Sequence, residues 1–203
     1  MALPIAHATV GYLVHRLDGR RTRLRGWPRA AVYMAIANLP DADFLLGFAL
    51  GQPGAHHRGI SHTVLAAVVF GSLAATVCHR WLGDRWWPAA VAFAAAYGSH
   101  LLVDALTIDA RGPAGAQFLW PLSDAYLIAP FTIFQEILID GRSRVGFVRS
   151  VVDWPTVVVL AREVAIAALV VCVARAVEAW LRRAPLRLPV LVPAAEPGEE
   201  DLA

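Results

Sequence analysis

The chain has 203 residues, enough for one domain of ordinary size. Apolar residues make up 58% and charged residues 17%, against roughly 45–50% and about 25% in soluble proteins, a balance that argues against a soluble fold of this length. The net charge of +2 says little, because the charge is unevenly placed: all eighteen basic residues are arginine, and many fall in a few short clusters.

Residues 3–17 are apolar but short, and read as a tilted, partial or re-entrant helix. This start lacks the basic region and small-residue cleavage site of a secretory signal, so the mature protein is expected to keep His7. The run 30–50 is long enough to cross a bilayer but carries Asn38, Pro40, Asp41 and Asp43 near its middle. Pro40 donates no backbone hydrogen bond and disfavours helix at Leu39, which predicts a break there. Runs 63–81, 86–106 and 156–180 are each long enough for a ~30 Å hydrocarbon layer, which takes about 20 helical residues. Cys78 and Cys172 lie inside such runs and read as small packing residues. Residues 131–139, with Glu136 among them, are expected to rest on the membrane surface. Arg162 and Glu163 are adjacent and point about 100° apart on a helix, which predicts separate partners rather than a mutual salt bridge. From Ala184 the chain turns rich in Pro, Ala and Glu, and is expected to form a disordered cytoplasmic tail, 184–203, after a membrane-embedded domain, 1–183. The fold expected is all-α: an integral membrane bundle of about five transmembrane or partly re-entrant helices.

The arginines orient this bundle. Arg16, Arg20, Arg21, Arg23, Arg25 and Arg29 crowd the first link, Arg80 and Arg85 the turn after the third run, and Arg175, Arg182, Arg183 and Arg187 the end of the last. By the positive-inside rule these regions are cytoplasmic, which puts the N-terminus outside, the C-terminus inside, and 51–61 and 108–154 outward. Trp27, Trp81, Trp86, Trp87 and Trp180 sit at the same ends, where indole favours the interface. Topology and anionic lipid account for the arginine run better than nucleic acid, which is not an expected partner.

Ionisable residues inside apolar segments are costly, so each is a functional candidate. Asn38-Leu39-Pro40-Asp41-Ala42-Asp43 offers two carboxylates at the helix break, where capping would need only one. His57-Arg58-Gly59-Ile60-Ser61-His62 brings two imidazoles to the start of the next helix, with His56 adjacent but outside the pattern. His100 and Asp104 stand i, i+4 on one helical face. Counting ~1.5 Å per residue from Trp86, His100 lies roughly 20 Å across the membrane, near the outer head groups. In the topology that the arginines give, His7, the two Asp and the loop His belong to the same leaflet, although neither set was chosen with the other in mind. Imidazole with carboxylate suits Zn²⁺, with Mn or Fe as other choices, and this many groups exceed one tetrahedral site. Two ions sharing a bridging Asp would serve an in-line phosphoryl displacement. Arg58 would pair with a phosphate oxygen.

The pattern of an N-terminal His, N-L-P-D-A-D, H-R-G-I-S-H-T, G-S-H-L-L-V-D-A-L-T and L-W-P-L-S resembles the YdjM-type inner-membrane metal-dependent hydrolases, over about residues 5 to 125. That family is regarded as distantly similar to zinc-dependent phospholipase C and P1 nuclease. The resemblance implies His7, Asp41, Asp43, His57, His62, His100 and Asp104 as metal-site residues. The stretch 108–112 is more polar than the family pattern leads one to expect.

The reading is therefore a multi-pass inner (plasma) membrane hydrolase of a phosphoester, lipid-borne in one version, with membrane lipids as partners. Metal-activated hydroxide would attack, Asp41 or Asp43 would bridge the ions or act as base, and Asp104 would complete the site. A transporter or metal/proton pathway is one rival and predicts polar groups in both leaflets. A scaffold with a structural metal is the other, and predicts a closed site of four ligands.

Overall fold

The structure, a computed structural model, describes residues 2–52, 57–83, 85–108 and 115–183. Within them lie seven α-helices: α1 (Pro4–Leu17), α2 (Trp27–Asn38), α3 (Asp43–Ala49), α4 (Val64–Leu82), α5 (Trp86–Ala105), α6 (Arg144–Val151) and α7 (Trp154–Arg183). The described residues hold no strand, only isolated bridges from Thr107 to Phe134 and from Ala116 to Leu127. The all-helical expectation is met.

Local chemistry sets the ends. Pro4 and Pro28 stand in the first turns of α1 and α2, where a missing N–H costs nothing. After Asn38 the chain tightens into a 3₁₀ turn, Leu39–Ala42, and restarts as α3, so the break at Pro40 lies where the sequence placed it. Thr63 caps α4 by accepting from Ala66 N–H at 3.0 Å, and Gly83, at φ 64°, ends that helix in the left-handed conformation that glycine adopts without strain.

Helix α5 sits at the centre, packed on α4, α1 and α2, while α7 lies against α1 on the far flank. Small residues let the backbones approach: a Cβ on Gly71 of α4 would come within 2.5 Å of Ala94 N on α5, and one on Gly11 of α1 within 2.7 Å of Tyr33 O on α2. Such glycine and alanine contacts are the usual way helices associate where lipid removes the hydrophobic incentive. The core between them is built from Ile36, Ala67, Ala75, Ala89, Phe93 and Ala96.

The side-chain contacts fix the relative directions. His7 of α1 lies near Asp41 beyond the end of α2, so α1 and α2 run antiparallel. Glu163 meets Leu3 and Ala6, and Glu178 pairs with Arg16, so α7 runs parallel to α1. In consequence Arg16, Arg20, Arg29 and the C-terminal part of α7 share one end of the bundle, and a Cβ on Gly83 would touch Arg23 there. The His and Asp candidates occupy the other end.

Helix length and hydropathy do not by themselves establish about five spans. Among the described helices only α7 is both long and apolar enough to cross a membrane unaided, with 30 residues and a peak mean hydropathy of 2.5. Helices α1 and α2, with 14 and 12 residues, are about 21 and 18 Å long at ~1.5 Å per residue. Helix α6 was not anticipated, because 108–154 lacks a sustained apolar period. Cys78 packs against the core as expected, whereas Cys172 is exposed on α7. The tail 184–203, residues 109–112 and His56 lie outside the described residues.

Candidate metal centre

Four chain segments deliver the candidate ligands to one place. His7 comes from the first turns of α1, Asp41 from the 3₁₀ turn after α2, His57 and His62 from the loop before α4, and His100 and Asp104 from the last turns of α5. His7, His62 and His100 are fully buried and Asp104 is 3% exposed.

The backbone around them is tied down by segments distant in sequence. The last carbonyls of a helix have no intrahelical partner. At the end of α5 these groups accept from the chain after residue 128: Ala105 O from Ala129 N–H, and Leu106 O from Ile133 and Phe134 N–H. That clamp holds Asp104 in place. Val64 N–H donates to Phe118 O at 2.8 Å, which fixes the start of α4 beside His62. Glu163 of α7 accepts from Leu3 N–H at 2.7 Å and from Ala6 N–H at 3.3 Å, capping α1 one residue before His7. Arg162 instead donates to Ile133 O and Gln135, so the adjacent pair on α7 does have separate partners.

The imidazoles are oriented by what holds their Nδ1 atoms. His100 Nδ1–H donates to Ala37 O at 2.9 Å. His57 Nδ1–H donates to Asp43 at 3.1 Å. His62 Nδ1 lies 2.9 Å from Ser61 Oγ, which itself donates to Asp43 at 2.9 Å. Such outer partners set the tautomer and leave the Nε2 lone pair for a metal. His62 Nε2 and His100 Nε2 face each other at 3.2 Å.

Two carboxylates complete the figure. Asp104 Oδ2 lies 3.4 Å from both Nε2 atoms, and Asp41 Oδ1 lies 3.7 Å from His62 Nε2 and 3.5 Å from His100 Nε2. Ligands at 2.0–2.1 Å around a tetrahedral ion stand ~3.3–3.4 Å apart. Four lone-pair donors at that spacing, in a buried place, are mutually repulsive without a cation. The second oxygens point elsewhere: Asp104 Oδ1 lies 3.8 Å, and Asp41 Oδ2 4.0 Å, from His7 Nε2. Both ring nitrogens of His7, both oxygens of Asp41 and Asp104, and His57 Nε2 are buried without a hydrogen-bond partner. Three overlapping sets close to within 4.8 Å: His7, Asp41 and His100; Asp41, His57 and His62; His62, His100 and Asp104. The residues present fit a divalent metal.

Asp43 differs from Asp41, since both of its oxygens are satisfied, by His57 and Ser61. Burial, partly countered by the Asp43 hydrogen bond, lowers His57 and keeps its ring neutral near pH 7. Arg58 follows His57 with φ 62°, a left-handed conformation strained for an arginine, and is half-buried.

A family model described as the YdjM inner membrane protein matches residues 1–184. The chain belongs to the YdjM inner membrane protein family. The "Inner membrane protein YbcI" of Escherichia coli (strain K12) is 33% identical over 106 residues, which cover 49% of this chain and 57% of that relative. The chain thus spans a little over half the length of that relative. No solved structure matches. Family and relative are both described as inner membrane proteins, and this YdjM-family chain is an inner membrane protein. The sequence reading left the targets of two supports in it unassigned. Ser61 was visible inside H-R-G-I-S-H but carried no spacing signal. Glu163 reaches α1 across 157 residues or more, a distance at which no periodicity speaks.

Proposed function

We propose that this YdjM-family protein is a multi-pass, metal-dependent hydrolase of the inner membrane, cleaving a phosphoester. The observation that carries the reading is the set of buried, unpartnered His and Asp atoms arranged at metal-ligand spacing. One ion would be held by His62, His100, Asp41 and Asp104, all four positions being protein groups. The second would be held by His7 with the remaining oxygens of Asp41 and Asp104, which leaves an open position, as catalytic sites require. His57 stands beside Asp41, 3.9 Å from its Oδ1, as a further ligand. Bound divalent ions would supply Lewis acidity and lower the pKa of water. Zn²⁺ suits the donors best, with Mn²⁺ and Fe²⁺ acceptable.

The protein's own groups do the rest. Asp41 and Asp104 would offer an oxygen to each of the two positions. Asp43 and Ser61 hold the rings of His57 and His62. Arg58 takes a non-bridging phosphate oxygen. The α1, α2–α3, α4, α5 and α7 segments form the membrane layer, with the shorter ones tilted or partial. The metal end faces outward and the arginine end is cytoplasmic, because positive charge is retained inside. A lipid-borne phosphoester suits the site, because the segment that ties down the start of α4 and the end of α5 exposes apolar side chains, among them Leu119, Leu122, Phe131 and Leu138.

Elemental analysis of the gently purified protein tests the reading. It should show about two transition-metal ions per chain, and His100→Ala should lower the content while the fold survives. A panel of phosphodiester and phosphomonoester substrates should then show turnover that a chelator abolishes and added metal restores. Protein that holds no divalent metal after reconstitution sinks the proposal.

A further inference from the structure

The arginine end of the bundle contains a cavity unrelated to the metal centre. Its volume is about 330 Å³, and its wall is Arg20, Arg21, Thr22, Arg25, Gly26 and Arg29. A liquid water occupies ~30 Å³, so the space is roughly ten times that and admits a hydrated anion. It lies in the link between α1 and α2, about the length of α1 away from His7.

Charge there is only partly neutralised. Asp18 takes Arg20, at 2.7 Å, together with Arg29 and the hydroxyl of Tyr33. Burial works to raise the Asp18 carboxyl, but the hydrogen bonds from Arg20 and Tyr33 win and hold it down at about 2. The carboxylate is therefore charged at any physiological pH and fully occupied. Arg21 and Arg25 are exposed and form no ion pair among the described residues; Arg25 reaches only Thr22 O, at 3.4 Å. Two cations thus remain unspent in the wall.

Two further observations point to an anion. Arg29 is 7% exposed, and its Nε–H is buried with no hydrogen-bond partner, although the rest of its guanidinium is engaged. Gly26 is the N-cap of the 12-residue helix α2, supplies no side-chain cap and lines the same cavity; Pro28 has no N–H and Ala30 N–H bonds Gly26 O, which leaves Trp27 and Arg29 N–H at this helix start. A helix start with unpaired N–H groups carries about half a positive charge and favours anions. Arginine forks match phosphate geometry in the same way.

We propose that this cavity binds a phosphate group, carried by the head of an anionic phospholipid or free in solution. Arg21 and Arg25 close on the anion from the exposed rim, Arg29 Nε–H donates from the buried wall, and the start of α2 completes the cradle. Bound there, the group would fix the link that sets the angle between α1 and α2.

The test uses the full-length protein in a nonionic detergent, with two soluble probes: inorganic phosphate and dihexanoyl phosphatidylglycerol. Dihexanoyl phosphatidylcholine, whose head group has no net charge, is the control. Titrations compare the wild type with the Arg21→Gln/Arg25→Gln double variant, whose changed side chains are exposed and leave the Asp18 network intact. Melting temperature and metal content verify that fold and metal centre are unaltered. At least a tenfold loss of affinity in the double variant supports the cradle. Loss for phosphatidylglycerol alone identifies a lipid head group, and loss for both probes identifies the phosphate itself. Arg29→Gln provides a second arm from the buried wall and should weaken the same probe. Equal affinity of wild type and double variant for both probes, or wild-type binding of phosphatidylcholine in place of phosphatidylglycerol, overturns the proposal.

Discussion

Asp41 and Asp43 are two residues apart in one turn, yet their surroundings give them different work. Asp41 offers two buried oxygens without partners, one toward His62 and His100 and one toward His7. Asp43 spends its oxygens on His57 and on Ser61. Replacing Asp41 by Asn keeps the shape but removes the charge that the two proposed ion positions would share. Metal binding should then collapse at both, with hydrolysis lost and expression preserved, because Asn costs less than Asp in an apolar setting. Asp43→Asn still accepts from His57 and should cost only about 10–100-fold in metal affinity, the usual effect of an outer partner. Metal titration of the two variants, with expression level as the control, decides between these roles. Equal losses would remove the distinction drawn between them, and near-normal metal binding in Asp41→Asn would leave the dinuclear reading without its bridge. The motif N-L-P-D-A-D announced two carboxylates at a helix break, but which one faces the centre depends on the 3₁₀ turn, whose twist the spacing does not encode.

At the scale of elements, the centre depends on helices that are too short to be held by their own propensity. Helix α1 has 14 residues, near the length at which isolated helices are marginal in water. Glu163 anchors its start from α7, and Leu3 N–H has no other acceptor among the described groups. Glu163→Ala leaves that buried N–H unpaired, at a cost of about 1–3 kcal/mol. Thermal unfolding should show the lower stability, and metal content should fall because His7 lies on the loosened turn. Glu163→Gln keeps one acceptor oxygen and should recover most of both. Unchanged melting in the alanine variant would mean that α1 is positioned by its packing on α2 and α5 alone. The helices themselves were legible in the sequence, since runs 63–81 and 86–106 match α4 and α5 within a residue or two. Helix α6 and the clamp of Ala129, Ile133 and Phe134 on α5 were not. Their hydrogen bonds join backbone to backbone, and backbone contacts leave no residue signature.

Across the whole molecule, chemistry is segregated to two ends with an apolar layer between them. Tyr97 turns its hydroxyl to Ser61 O at the metal end, and Tyr33 turns its own to Asp18 at the arginine end. The buried core of α2, α4 and α5 includes Ile36, Ala75, Ala89, Ala90, Phe93 and Ala96, which offer no donor or acceptor side chain. A proton or metal pathway needs polar stations through that layer, so the arrangement favours a site that works at one surface. Which surface is open to direct test. Leu122 is 93% exposed at the metal end, and Gly19 follows α1 at the arginine end, where an added Cβ meets nothing within 4 Å. Single cysteines at these positions, in a Cys78→Ala/Cys172→Ala background, can be challenged with an impermeant thiol reagent in intact spheroplasts. Retention of arginine inside predicts rapid labelling at 122, and labelling at 19 only after permeabilisation. The reverse pattern would put the metal end in the cytoplasmic leaflet and the phosphate cradle outside. The chemistry of the centre would survive that inversion, but its substrate would then have to be drawn from the cytoplasmic face.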